Sequence, residues 1–229
     1  HLKRFNDRIY FNGTEIGDED FARLASRIRT QAEVMKDAPT VFEIMTAMGM
    51  LYFAEKQCDL VMLEVGMGGR LDSTNVIRTP EAAVITSIGL DHTKELGDTL
   101  EKIAGEKGGI IKTGGTVIVD GSNTAVMPVF EKICQETDAS LVTSAPEQIR
   151  NVVLSPAGEV FDYKDLKELL LSLTGVYQMN NAAVVIETVR VLEQKGYRID
   201  ETALRKGLSE VYWPGRFERL HEQPTFLVD

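Results

Sequence analysis

A chain of 229 residues is long enough to bury a core of its own, and length alone admits one large domain or two small ones. Apolar residues at 43% and charged residues at 26% are the balance of an ordinary globular protein. The net charge of −10 argues against nucleic acid as a partner, which calls for a basic stripe, yet leaves room for nucleotides, which need only local cations, backbone amides and a metal.

In chain order, apolar residues at Phe21, Leu24 and Ile28 predict an amphipathic helix over Asp18 to Lys36. Thr40 and Glu43 form a Thr-x-x-Glu capping box, and a second, more buried helix is expected from there through Ile44, Met48, Leu51 and Phe53. The run Asp59 to Val65 ends in glycines and reads as a strand buried on both faces; Ala82 to Ile88 reads the same way. A helix over Thr99 to Lys107 leads to a strand at Thr116 to Val119, a helix over Asn123 to Glu136 and a strand at Leu141-Val142. That alternation predicts a parallel α/β sheet flanked by helices. Between Asn151 and Leu173, short β-like pieces separated by Pro156-Ala157-Gly158 and Lys164-Asp165 predict a small antiparallel element. Helices are expected from about Asn180 to Lys195, stopping at Gly196, and from Glu201 to Glu210. Trp213-Pro214-Gly215 breaks the chain, so residues 1–217 are expected to form one domain and 218–229 the start of another. Cys58 and Cys134 make neither a disulfide framework nor a zinc spacing, which favours a reducing cytoplasm. No apolar run is of membrane-spanning length and no signal peptide is legible, so no membrane partner is expected.

Chemistry concentrates in Leu63-Glu64-Val65-Gly66-Met67-Gly68-Gly69-Arg70-Leu71-Asp72-Ser73-Thr74-Asn75. A carboxylate at the end of a strand-like run, followed by a glycine-rich loop, sits where open parallel sheets bind ligands. The same residues alone could equally be an ordinary exit from strand to loop. Four further segments accompany it: Gly89-Leu90-Asp91-His92, Gly105-Glu106-Lys107-Gly108-Gly109-Ile110-Ile111-Lys112, Gln178-Met179-Asn180-Asn181-Ala182 and Trp213-Pro214-Gly215-Arg216. In this order, and with His1-Leu2 followed by Phe5-Asn6-Asp7-Arg8 at the start, the set resembles the folylpolyglutamate synthases of the Mur ligase superfamily. The likeness runs along essentially the whole chain, with Gly108 standing where that family usually has Ala.

The resemblance implies a Mur-type central ATPase domain and an ATP- and Mg²⁺-dependent ligase that joins L-glutamate to a folate, and in some members to dihydropteroate. It makes Glu64 and His92 magnesium ligands; a hard cation takes carboxylate readily and leaves other positions to phosphate and water. By residue type alone His92 could be a loop residue bonded to backbone. Lys107 matches the lysine that the family carries as a carbamate, and with His92 forms the expected catalytic pair. The open alternative is a helix-terminal lysine favoured by the helix dipole. Asn181, Arg216 and Asp229 fall on positions that contact ATP, through an amide, a guanidinium and a carboxylate respectively. Thr40, Val41, Phe42, Glu43, Leu71, Asp72 and Ser73 fall where the family binds the pterin. Phe42 could stack on a flat heterocycle and Asp72 could accept from its amino groups.

The family's phosphate loop has no counterpart in these 229 residues: Lys112-Thr113 follows Ile111 where a glycine would be required. The serine of its Ser-Pro-His-Leu segment, the run expected after Asp229 and the glutamate-binding domain are not present either. These 229 residues on their own are therefore expected to turn over little ATP. The expected partners are small molecules, and the expected state is a cytoplasmic monomer. Two other functions compete: a Mur-type ligase for cell-wall precursors, disfavoured by the Glu64 to Asp72 segment, and a non-catalytic nucleotide- or pterin-binding module.

Overall fold

The computed structural model describes residues 3–155, 158–216, 218–223 and 225–228, and the chain divides into two units, His1–Ile77 and Arg78–Asp229. His1, Leu2 and Asp229, all used in the sequence reading, lie outside the described residues.

The first unit opens on a 3₁₀ turn, Phe5–Arg8, and a two-stranded hairpin, β1 (Tyr10–Phe11) and β2 (Thr14–Glu15). Its turn is Asn12-Gly13, both with positive φ (48° and 79°), the pair whose twist matches antiparallel strands. Asn6 is buried beneath the turn, where its amide donates to Ile16 O and Asp18 Oδ1, each at 2.9 Å. Helix α1 (Asp18–Ala32) packs on α2 (Val41–Glu55) around Ile9, Ile16, Leu24, Met45, Met48 and Tyr52. The expected extension of α1 to Lys36 does not form. Val34 and Met35 are exposed, so the last turn would bury nothing, and Pro39 follows. Helix α2 starts where its capping box places it, with Thr40 as N-cap.

Asp59 to Val65 corrects the sequence reading. No strand forms there, and Leu60, Val61 and Met62 are exposed, Met62 to 92%. A strand is made by a neighbour that takes up its N–H and C=O groups, and no strand among the described residues pairs with this run. Apolar content alone does not reveal whether such a neighbour is present.

In the second unit, β3 (Ala83–Ile85), β4 (Thr116–Val119) and β5 (Ser140–Thr143) form a parallel sheet in that order, with Val84 opposite Ile118 and Ile118 opposite Val142. Helices α3 (Thr93–Leu96), α4 (Leu100–Lys107) and α5 (Met127–Thr137) connect the strands. Alternation along β4 sends Val117 and Val119 into a core with Ile103, Ala104, Val126, Phe130 and Cys134, and Ile118 into the opposite layer with Val184 and Val191. Helices thus cover both faces of the sheet.

The antiparallel element is three strands, β6 (Ile149–Ser155), β7 (Gly158–Tyr163) and β8 (Leu166–Leu171). Its inner face, Phe161, Tyr163, Leu169 and Leu171, packs on Met179, Ala183 and Ile186 of α6 (Val176–Gln194) and on Leu204 and Leu208 of α7 (Glu201–Glu210). Helix α6 begins before the expected Asn180, because Met179 already belongs to its buried face, and it ends ahead of Gly196 at φ 95°. A final hairpin joins β9 (Glu218–Glu222) to β10 (Thr225–Val228). The architecture is therefore α/β, a parallel sheet between helices with antiparallel additions. Among the described residues no helix is long and apolar enough to cross a membrane.

Candidate active site

In the first unit the glycine-rich segment is a closed loop rather than an open cradle. Glu64 stands at its entrance, exposed, with no hydrogen bond or ion pair to its carboxylate among the described residues. Gly66 lies against the half-buried ring of Phe42: a Cβ there would come within 2.8 Å of two ring carbons and 3.2 Å of Asp72 Oδ2. This approach is what glycine permits. Asp72 turns its carboxylate inward, onto the amides of Gly66 (2.9 Å) and Met67 (3.1 Å) and onto Thr74. Ser73 opens a 3₁₀ turn, Ser73–Val76, and its hydroxyl lies 3.0 Å from that of Thr46 on α2.

The expected pterin-binding residues therefore come together around the start of α2, where several of their polar groups also bond within the chain. Thr40 and Glu43 bond to each other: Glu43 N donates to Thr40 Oγ1 (3.2 Å), and Thr40 N and Oγ1 donate to Glu43 Oε2 (2.7 and 2.8 Å). The Thr40 N–H, followed by its hydroxyl, holds the Glu43 carboxyl below its ordinary pKa. Val41 and Leu71 are exposed, Leu71 to 92%. Thr46, which the sequence reading passed over, completes this group with Gly66 and Thr74, which that reading quoted without giving either a role. Thr74 was findable, since an Asp followed two residues later by Thr is a common local turn pairing; the approach of Phe42 was not.

In the second unit His92 adopts a left-handed conformation, φ 48° and ψ 42°, at the N-cap of α3. For a residue other than glycine this conformation is costly, and it is found where surrounding structure holds it. Here Asp91 Oδ1 accepts from His92 N at 2.8 Å, and His92 O accepts from Glu95 N and Leu96 N. The imidazole is half exposed, with Nε2 3.7 Å from Asp91 Oδ2. Lys107 ends α4, half-buried, with no side-chain hydrogen bond or ion pair among the described residues. Its neighbour Gly108 accounts for the departure from alanine noted above: a Cβ there would lie 2.5 Å from Ile133 Cδ1, so Ile133 occupies the space.

Asn181 donates to Gln178 Oε1 at 3.1 Å, and both residues border a cavity of about 330 Å³ between α6, α7 and β8. The rest of that lining is aliphatic. Arg216 is exposed, just after the turn at Gly215, whose φ is 72°. Among the described residues no group of three or more His, Cys, Asp or Glu side chains could by itself hold a metal ion. The donor set expected for magnesium, one carboxylate and one imidazole, does not require such a group. Mg²⁺ is commonly held by one or two protein ligands, with phosphate and water filling its octahedron. The exposed carboxylate of Glu64 in the first unit and the half-exposed imidazole of His92 in the second are each, taken singly, of a type that such an ion accepts.

The fold agrees with that of known proteins. The chain is 40% identical to the dihydrofolate synthase/folylpolyglutamate synthase of Bacillus subtilis (strain 168), a match covering 100% of this chain and 56% of the relative. Among solved structures, a mutant of L. casei FPGS superposes with a TM-score of 0.93 at 32% identity, over 100% of this chain and 59% of that one. An FPGS–AMPPCP–folate complex superposes with a TM-score of 0.91 at 32% identity, over 100% and 58%. The chain thus spans little more than half the length of these relatives. The family model described as the Mur ligase middle domain matches residues 14–189, and with it the strand order, the glycine loop and the His92 and Lys107 segments find one explanation: the chain belongs to the Mur ligase family, through its middle domain.

Proposed function

We propose that the protein is an ATP-dependent carboxylate–amine ligase that adds L-glutamate to a folate, with dihydropteroate as a second possible acceptor. The observation that carries this reading is the likeness of these 229 residues to 58% of a chain in a complex with AMPPCP and folate, together with relatives named folylpolyglutamate and dihydrofolate synthases. In such a reaction the γ-phosphoryl group of ATP passes to a carboxylate oxygen of the acceptor, releasing ADP. The amine of glutamate then attacks the acyl carbon, expels phosphate and gives up a proton. No protein nucleophile is needed, so the work of the chain is positioning and electrostatics.

Within this reading Glu64 and His92 would each offer a ligand to Mg²⁺, whose charge would offset that of the transferring phosphoryl group. Lys107 would serve as a carbamate, an anion made from a neutral amine and carbon dioxide, whose charge would favour the ion nearby. Asn181 meets ATP at the base, Arg216 at the phosphates and Asp229 on the ribose or adenine side. Around the acceptor, Phe42 and Leu71 supply apolar surface next to Val41 and Ser73, while Thr40 and Glu43 keep α2 capped. The proposed domain assignment places residues 1–217 in the central domain and 218–229 at the start of the next, in a cytoplasmic, monomeric enzyme.

The test is to incubate the full-length protein with ATP, Mg²⁺, L-glutamate and either a reduced folate or dihydropteroate, and to weigh the products. An acceptor heavier by one glutamate residue, formed together with ADP, is the expected result. Absence of that product with both acceptors would falsify the proposal.

A further inference from the structure

The turn Trp213-Pro214-Gly215-Arg216 is held from outside as well as from within. Inside it, Arg216 N donates to Trp213 O at 3.4 Å, and Gly215 takes φ 72°. Proline second and a positive-φ glycine third is the pattern of a type II turn. A bond of 3.4 Å is longer than the usual N–H···O range, so by itself it fixes the turn weakly. Glu218, the first residue of β9, adds two more bonds. Its Oε2 accepts from Gly215 N at 2.9 Å, and its Oε1 accepts from the Tyr212 phenol. One carboxylate thus ties the residue ahead of the turn and the glycine inside it to the strand that follows. Bonds to an ionised acceptor are roughly twice as strong as neutral ones.

Arg216 stands at the exit of this turn, exposed, and its guanidinium makes no hydrogen bond or ion pair among the described residues. Its direction is therefore set by its backbone, which Gly215 on one side and Glu218 on the other hold in place. A long side chain carries much rotamer freedom, and a fixed root reduces what remains to be ordered when an anion arrives. Glu218 is itself anchored, paired with Val228 across the β9–β10 hairpin. Tyr212 is exposed to 66%, so its bond to Glu218 is not a by-product of burial.

We propose that Glu218 is a positioning residue: with Tyr212 it straps the Trp213–Arg216 turn to β9 and so presets Arg216 for the phosphates of ATP. This inference deepens the ligase reading and rests on it. The strap crosses the proposed boundary between residues 217 and 218, so the hairpin at the start of the next domain holds a nucleotide contact of the central one. Glu218→Ala removes both bonds. Tyr212→Phe removes only the phenol bond and keeps the ring.

The experiment uses the full-length protein with its Glu218→Ala, Tyr212→Phe and Arg216→Lys variants and the Glu218→Ala/Arg216→Lys double variant. Amide hydrogen exchange at Gly215 reads the strap, and steady-state kinetics reads its consequence. In Glu218→Ala, exchange at Gly215 should quicken about 10-fold or more, the size expected from losing a charge-assisted bond. Its kcat/KM for ATP should fall about 10-fold while the KM for the folate acceptor moves less than about 3-fold. A purely structural role would not separate ATP from the acceptor in this way. Arg216→Lys keeps the charge but loses the guanidinium fork. In that background Glu218→Ala should cost less than about 2-fold more, because both changes act through one side chain. Tyr212→Phe should shift exchange and kcat/KM in the same direction by about 3-fold. Unchanged Gly215 exchange in Glu218→Ala overturns the inference. So do losses that multiply in the double variant, which would give Glu218 an effect independent of Arg216. A Tyr212→Phe protein indistinguishable from wild type removes the phenol from the strap. A wild-type protein that makes no glutamylated product sinks the ligase reading instead, and exchange at Gly215 then decides on the strap alone.

Discussion

At Thr40 one hydroxyl and one amide satisfy a helix end: the oxygen accepts from Glu43 N while the N–H and O–H return bonds to the Glu43 carboxylate. This reciprocity was legible from the spacing Thr-x-x-Glu. A capping side chain is typically worth about 1 kcal/mol, so Thr40→Ala should lower stability by about that amount in denaturant titrations, with Thr40→Ser close to wild type. The same bonds occupy the Thr40 hydroxyl and the Oε2 oxygen of Glu43, a competing role that a family likeness does not register. Lys107 is the contrasting case, since its position at the end of α4 is as compatible with a cation as with a carbamate. Carbon-13 NMR on protein equilibrated with labelled carbon dioxide should show a carbamate resonance that is absent from Lys107→Arg. A spectrum identical in the two proteins would remove the carbamate from the proposed mechanism.

Legibility at the scale of elements followed the local signals. Thr116 to Val119, Glu201 to Glu210 and the helix expected over Thr99 to Lys107 were readable from local signals, and Thr99 proves to be that helix's N-cap. Asp59 to Val65 was misread because strand formation depends on a partner that the run itself does not encode. The joints between elements were also invisible. Tyr163, fully buried on β7, accepts from Ala145 N at 3.0 Å just beyond β5, and burial pushes its phenol well above the usual range. Tyr163→Phe should leave the Ala145 amide without its partner and cost about 1–2 kcal/mol. An unfolding curve superimposable on wild type would show that this joint bears no load.

Glu159, also on β7, is buried with Oε1 accepting from Gly175 N at 2.7 Å, while Oε2 has no partner among the described residues. Burial, only partly opposed by that bond, raises its pKa. A carboxyl that holds its proton more tightly in the fold than in the open chain stabilises the fold below the ordinary Glu pKa. That contribution is lost as pH rises through the raised, folded value. Glu159→Gln should therefore be more stable than wild type near pH 8, by about 1 kcal/mol or roughly 2–4 °C in Tm, with the difference vanishing near pH 4. A gap that stayed constant between the two pH values would contradict the assignment.

On the scale of the whole molecule, a parallel sheet between helices and an ordered series of segments along the chain were enough to indicate a Mur ligase middle domain, from which the ligase activity is proposed. What they could not indicate is the internal accounting of each polar group, such as the hydrogen bonds that Asp72 accepts within its own loop. The central claim is chemical: the acceptor carboxylate is activated by phosphorylation before glutamate attacks. Its most direct test is to supply the full-length protein with ATP, glutamate and an acceptor whose terminal carboxylate is labelled with oxygen-18, then measure label in the released phosphate by mass spectrometry. An acyl phosphate predicts one labelled oxygen in each phosphate formed along with product. Glutamylated product accompanied by unlabelled phosphate would contradict it.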